Sequence, residues 1–218
     1  TLNSVGIQGG DIVLVVNRLL ANRPCLLQQV KADHVSGATP INTSEGSYTQ
    51  STVDSTEITS FPTGSWVVNL GNRPQFNLIG VGDNNTLFSY DLLNLDGAAA
   101  PTAVELADGV FELKALYGIG TDTDGDGTFD TTEWVAPDDE RFDLEAMNAD
   151  ATLIGRITAI RLGLILRTAL PEKDAVTAGP VVLFPDLTNA AGTALTYTRN
   201  LSDAEKVYRY RTLETTIP

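Results

Sequence analysis

The sequence predicts an α+β fold built mainly on antiparallel β-sheet, and three observations carry that prediction. Short apolar runs rich in Val, Ile and Thr recur along the chain, the residue types that fit a pleated, half-buried surface. Nineteen glycines and ten prolines punctuate these runs, as turns between strands require. Only residues 138–150, around Phe142, Leu144 and Met147, read as a short helix.

The elements follow in order. Residues 10–16 form an apolar, glycine-bounded run that reads as a buried strand, and a second strand is expected from Leu26. From Ser36 to Ser60 the chain is rich in Ser, Thr and Gly, a long polar loop with at most a short strand near Tyr48. Three strands at 64–70, 75–81 and 86–93 read as an antiparallel meander, the last two joined in a hairpin by Gly82-Asp83-Asn84-Asn85. Residues 94–103 read as a loop. Residues 104–109 read as a helical turn or bend, and a strand runs from Val110 to near Tyr117. Arg156–Thr168 is the clearest strand of the second half, 171–200 is loop-rich, and Val207–Thr215 is a final alternating strand. At 218 residues the whole fits a single domain, with a β-rich part (1–103) and a second part (104–218), large enough to bury a core without disulfides.

The formal charge of −14 argues against partners that are themselves polyanions, nucleic acid and anionic lipid surfaces among them. Divalent cations are what such a chain attracts. The single cysteine, Cys25, precedes Leu26 and Leu27 and is expected to be buried; an exposed, pairing-competent thiol is the alternative. No stretch approaches the ~18 apolar residues of a membrane span. Thr1 and Pro218 both read as cut ends, so an anchor ahead of Thr1 stays open.

Catalytic signatures are missing. His34 is the one histidine and reads as a surface or loop residue; with Cys25 it falls short of a zinc donor set, and no nucleophile elbow, Walker A or dinucleotide-binding glycine motif occurs. Trp66 and Trp134 could line a sugar site beside paired carboxylates, but two tryptophans in such a chain are more often core or rim residues. The chain is therefore expected not to be an enzyme.

One segment is chemically sharp. Asp122-Thr-Asp124-Gly-Asp126-Gly127-Thr128-Phe-Asp130-Thr-Thr-Glu133 matches D-x-[DN]-x-[DN]-G-x₅-E without a gap. Calcium takes six to eight oxygens, and alternate side chains of a tightly coiled loop can supply them. Asp122, Asp124 and Asp126 would each give a carboxylate oxygen, Thr128 its backbone carbonyl, Asp130 a direct or water-mediated contact, and Glu133 a bidentate closure. A solvated Asp/Gly turn is the plain alternative. The leading segment reads as strand and Trp134-Val135-Ala136-Pro137 follows the loop, so the ion is expected to be structural, tying down a strand connection. By analogy with extracellular modules its dissociation constant would be on the order of 10⁻⁴–10⁻³ M.

Three stretches carry a resemblance. Glu105-Leu-Ala-Asp-Gly109-Val-Phe-Glu-Leu113-Lys-Ala-Leu-Tyr117-Gly118 runs into the acidic loop; Ile157-Thr-Ala-Ile-Arg161-Leu-Gly-Leu-Ile-Leu-Arg-Thr168 follows; Tyr208-Arg-Tyr-Arg-Thr-Leu-Glu-Thr-Thr-Ile217 stands near the end. Their order resembles the C-terminal half of the PilW family of minor type IV pilins, over about residues 104–218, with 1–103 matching only loosely. The resemblance implies a pilin-like globular domain, an antiparallel sheet beside an N-terminal apolar helix that is truncated here. It also implies a structural role in the tip and priming complex of a type IV pilus. The implied partners are other minor pilins, the major pilin and a tip adhesin, with inner-membrane anchoring before assembly and the membrane reached only through that helix. Minor pseudopilins of type II secretion, of the J kind, share part of the pattern. A calcium-dependent extracellular adhesin and an acidic hydrolase are the other readings.

Overall fold

The computed structural model describes residues 4–16, 25–43, 52–53, 56–57, 64–93, 103–125 and 127–218. In chain order its strands are β1 Ile12–Val16, β2 Leu26–Gln29, β3 Thr52–Val53, β4 Thr56–Glu57, β5 Trp66–Gly71, β6 Asn77–Val81, β7 Thr86–Asp91, β8 Ala103–Asp108, β9 Val110–Thr121, β10 Asp130–Val135, β11 Ile157–Arg167, β12 Val181–Leu183, β13 Tyr197–Arg199 and β14 Tyr210–Ile217. One helix, α1, covers Leu144–Ala149, and a 3-10 segment, Ala151–Arg156, follows it. Among the described residues the fold is thus mainly antiparallel β, and no helix there is long and apolar enough to cross a membrane. The chain divides into two compact units, Thr1–Leu78 with Tyr90–Ala103, and Ile79–Ser89 with Val104–Pro218.

In the first unit β2, β1 and β5 form one antiparallel sheet. Val13 and Val15 point to one face and pack with Ile7 and Val30, with Ile41 and Val67 at the margin. The buried Asp11 carboxylate accepts from the Gln8 N–H and the Asn69 side-chain amide, both at 2.8 Å, so the sheet edge is tied by a satisfied polar group.

Three expectations need correction. The strand near residues 64–70 exists but is no part of a meander: β5 pairs with β1, while β6, β7 and β8 form a separate sheet. Residues 104–108 belong to strand β8 rather than a helical turn, because Val104 and Leu106 alternate with Glu105 and Ala107, and Gly109 (φ 76°) then turns the chain into β9. Cys25 is exposed, not buried: Leu26 takes the inward position opposite Val15, and its neighbour is left facing out. The expected strand near Tyr48 lies outside the described residues. His34 lies in the loop after β2, as expected.

The second unit is organised by a four-stranded sheet in the order β10-β9-β11-β14. One face carries Leu116 and Ile165, covered by Val181, Leu183 and Phe184 from the long connection between β11 and β14. Phe184 adopts a left-handed conformation (φ 55°) that a bulky residue rarely tolerates. The Glu214 carboxylate holds it there, accepting from the Phe184 N–H at 2.8 Å and from Arg161 at 3.0 Å. On the same face Tyr197 donates to Glu112 at 2.5 Å; burial, with that carboxylate beside it, pushes the Tyr197 phenol up to about 12.

The opposite face is apolar in rows. Leu164 stands between Leu113 and Leu213, Leu162 between Ala115 and Thr215, and Ile160 between Tyr117 and Ile217. At one end Ile119 and Val135 are covered by Phe142, with Met147, Leu153 and Ile157 beside it. The β14 side of this face is open: Ile160, Leu213 and Ile217 are 37%, 53% and 49% exposed.

Candidate metal site

The acidic segment is the connection of the β9–β10 hairpin, at the end of the sheet where β11 begins. Its base is closed by small residues. A Cβ on Gly120 would lie 2.5 Å from Thr158 Cγ2 and 2.7 Å from Phe129 Cβ, so only glycine lets the returning strand pack this tightly. Threonine hydroxyls bridge the strands, Thr131 to Thr158 at 2.7 Å and Thr121 to Thr132 at 3.1 Å. Arg156 adds a bond from Nε to the Gly120 carbonyl at 3.3 Å.

Asp122 follows the last residue of β9 and winds the loop around its own carboxylate, which accepts from the Gly125 N–H at 2.7 Å and the Gly127 N–H at 3.1 Å. Gly125 and Gly127 both have positive φ, 76° and 86°, as this reversal requires. Asp124 and Thr128 are exposed on the turn; Asp126 lies outside the described residues. Asp130 opens β10 opposite Thr121, and Glu133 sits inside β10 opposite Ile119. The twelve-residue motif therefore straddles loop and strand.

Glu133 already has a partner. Arg141 spans it with two bonds, Nη1 to Oε1 at 3.0 Å and Nη2 to Oε2 at 3.2 Å. The same guanidinium reaches Asp139 through Nε and Nη2, both at 2.9 Å. Hydrogen bonding from Arg141 holds the Asp139 carboxyl below the usual carboxylate range, and the two acids raise the arginine in turn. Phe142, 3% exposed, lies under both flanking arginines, with Arg141 5.7 Å and Arg156 5.3 Å from its ring centroid. Arg141, Asp139 and Phe142 were not legible as site residues. The one signal was Arg141 itself, which with Arg156 faces eleven acids between residues 122 and 156.

The residues expected to bind an ion are hard oxygen donors, and Arg141 already occupies the carboxylate expected to close the shell. Among the described residues no three acidic, histidine or cysteine side chains are gathered closely enough to hold a metal ion. Ligation through Glu133 thus requires that carboxylate to leave Arg141.

Comparison with known proteins adds one match: the model of the family described as Type IV Pilus-assembly protein W matches residues 80–218. No curated protein and no solved structure matches the chain.

Proposed function

We propose, from the premise that the chain belongs to the PilW family of type IV pilus-assembly proteins, that it is the globular domain of a minor pilin acting in the tip and priming complex. The family is one of pilus-assembly components, and the match spans β9, β11 and β14, the strands that build the apolar rows. The observation that carries the reading is the exposed β14 side of that face, at Ile160, Leu213 and Ile217. An apolar sheet surface of this extent is not left to water without reason, and a pilin's apolar helix is the element whose chemistry would cover it. In this reading the domain lies beside such a helix, is anchored in the inner membrane facing the periplasm before assembly, and contacts other minor pilins, the major pilin and a tip adhesin afterwards.

Calcium is the second part of the proposal. Asp122, Asp124, Asp126, Asp130, Glu133 and the Thr128 carbonyl would hold it. The ion would neutralise carboxylates that otherwise repel one another and would bridge the two strands of the hairpin. Asp122 already orients the turn by its two backbone bonds, and the glycine-packed base keeps the strands from splaying.

The test places a charge on the open face. Leu164→Asp, at the centre of the Leu113–Leu164–Leu213 row, is expected to leave the protein present in cells but absent from sheared filaments, with pull-down by candidate minor pilins reduced at least tenfold. The ion-pairing position Glu172 on the surface serves as control, Glu172→Gln having no effect. Normal incorporation of Leu164→Asp would exclude the face from assembly and remove the main support for the reading.

A further inference from the structure

We propose that the free edge of β14 is a strand-addition site, which takes an extended peptide segment of another chain carrying two apolar residues and a carboxylate on one of its faces. The site lies at the strand's edge, beside the apolar face considered above, and its chemistry is independent of pilus assembly. β14 is the terminal strand of the sheet β10-β9-β11-β14, and among the described residues no backbone group from Arg211 to Ile217 has a partner other than β11. Its outer side therefore presents a row of backbone donors and acceptors. Edges of this kind are usually blunted by bulges, prolines or charges. The opposite edge follows that rule, since β10 carries a register shift between Thr131 and Glu133. β14 does not: it runs for 8 residues without proline or glycine, and its register against β11 has no shift. A long, regular, unpaired edge is the geometry a further strand needs.

The side chains define what that strand carries. Arg211, Leu213, Thr215 and Ile217 alternate onto one face of β14, where Leu213 and Ile217 are half exposed and Arg211 is exposed. Arg141, Arg156, Arg161, Arg167, Arg199 and Arg209 each have an acid, a carbonyl or a ring as partner. Arg211 has none among the described residues, in a chain with 28 acids against 14 bases. Every pairing in this sheet is antiparallel. A strand added the same way sets apolar residues opposite Ile217 and Leu213 and a carboxylate opposite Arg211, so it reads apolar at its first and fifth positions and acidic at its seventh. The apolar pair extends the Ile160–Ile217 and Leu164–Leu213 rows by one strand. The other side of the added strand needs only small polar residues, because Glu214 is already taken by Arg161 and the Phe184 N–H. A second copy of this chain fits less well. Two β14 strands paired about a two-fold axis bring like faces together, and this face of β14 holds no acid to answer Arg211.

Fluorescence anisotropy of the labelled peptide Val-Thr-Thr-Thr-Val-Thr-Asp-Thr, titrated with the 218-residue chain, tests this. Two further forms are N-methylated at odd or at even positions; only one set of N–H groups faces β14, so one form should bind and the other should not. Arg211→Glu, its fold verified by far-UV circular dichroism, should weaken binding about fivefold, as an exposed ion pair allows, and lysine in place of the peptide's aspartate should restore it. Amide hydrogen exchange should slow in β14 when the peptide is bound. Absence of binding at about 1 mM peptide, equal binding of the two N-methylated forms, or indifference to the charge exchange would each overturn the site and leave the pilus reading untouched. Self-association that protects β14 without peptide would give the edge to a second copy and overturn the peptide assignment.

Discussion

Gly163→Val is expected to cost the second unit about 3–5 kcal/mol. Gly163 lies between Lys114 and Glu214 in the sheet, and the ring of Phe184 rests on it. A Cβ there would stand 2.7 Å from Phe184 Cζ and 3.0 Å from Leu183 Cδ1, and both residues are fully buried. Valine would expel Phe184, forfeiting ~2–3 kcal/mol of burial together with the Glu214 bond that fixes its left-handed backbone. Urea unfolding measures the loss. Gly163→Ala should lose less, and pairing it with Phe184→Leu should recover at least ~1 kcal/mol, since residues in contact couple by that order. A Gly163→Ala chain within ~0.5 kcal/mol of the original would mean that the ring gives way at little cost.

Phe142→Ala is expected to cost about 3–5 kcal/mol and to lower the melting temperature by roughly 8–16 °C. The ring is the plug that joins the acidic end of the sheet to residues 139–156: it packs on Ile119 and Val135 and is flanked by two guanidinium groups. Its removal leaves a cavity under Arg141 and takes away both cation–π contacts. Trp134 fluorescence, followed in a Trp66→Phe background, reads this end of the molecule. Phe142→Leu separates the two contributions, because leucine restores most of the packing and none of the ring's attraction for arginine. Equal losses for Ala and Leu would assign the effect to the arginines, and a loss confined to Ala would assign it to packing.

What the sequence made legible follows from the range of each interaction. Arg156–Thr168 reads as a strand because Ile, Thr and Leu dominate it with no helix-breaking or turn cluster inside, and β11 occupies Ile157–Arg167. The β6–β7 hairpin is written in its turn, where Asn84 and Asn85 adopt φ of 61° and 59°, the left-handed region asparagine tolerates. Partner choice between distant strands leaves no local trace, which is why β5 was expected beside β6 and lies beside β1. The acidic motif located a tight turn, and Asp122 together with the two positive-φ glycines makes one. By spacing alone its final residues belong to the loop, yet Asp130 and Glu133 are strand residues, because Thr131 and Trp134 pair with Gly120 and Gly118 across the hairpin. The guanidinium on Glu133 was out of reach for spacing rules, since it comes from a turn that only the packing of Phe142 brings back to the sheet.

The most direct measurement is the melting temperature of the 218-residue chain in chelator and in about 10 mM calcium, beside Asp130→Asn. Asp122 and Glu133 are poorer choices for this variant, because one holds two backbone N–H groups and the other holds Arg141 before any ion arrives. Calcium at some thirty times its dissociation constant should stabilise the natural chain by about 2 kcal/mol, several degrees of melting temperature. Asp130→Asn should lose most of that gain and match the natural chain in chelator. Identical melting of the natural chain with and without calcium would contradict a metal-pinned hairpin.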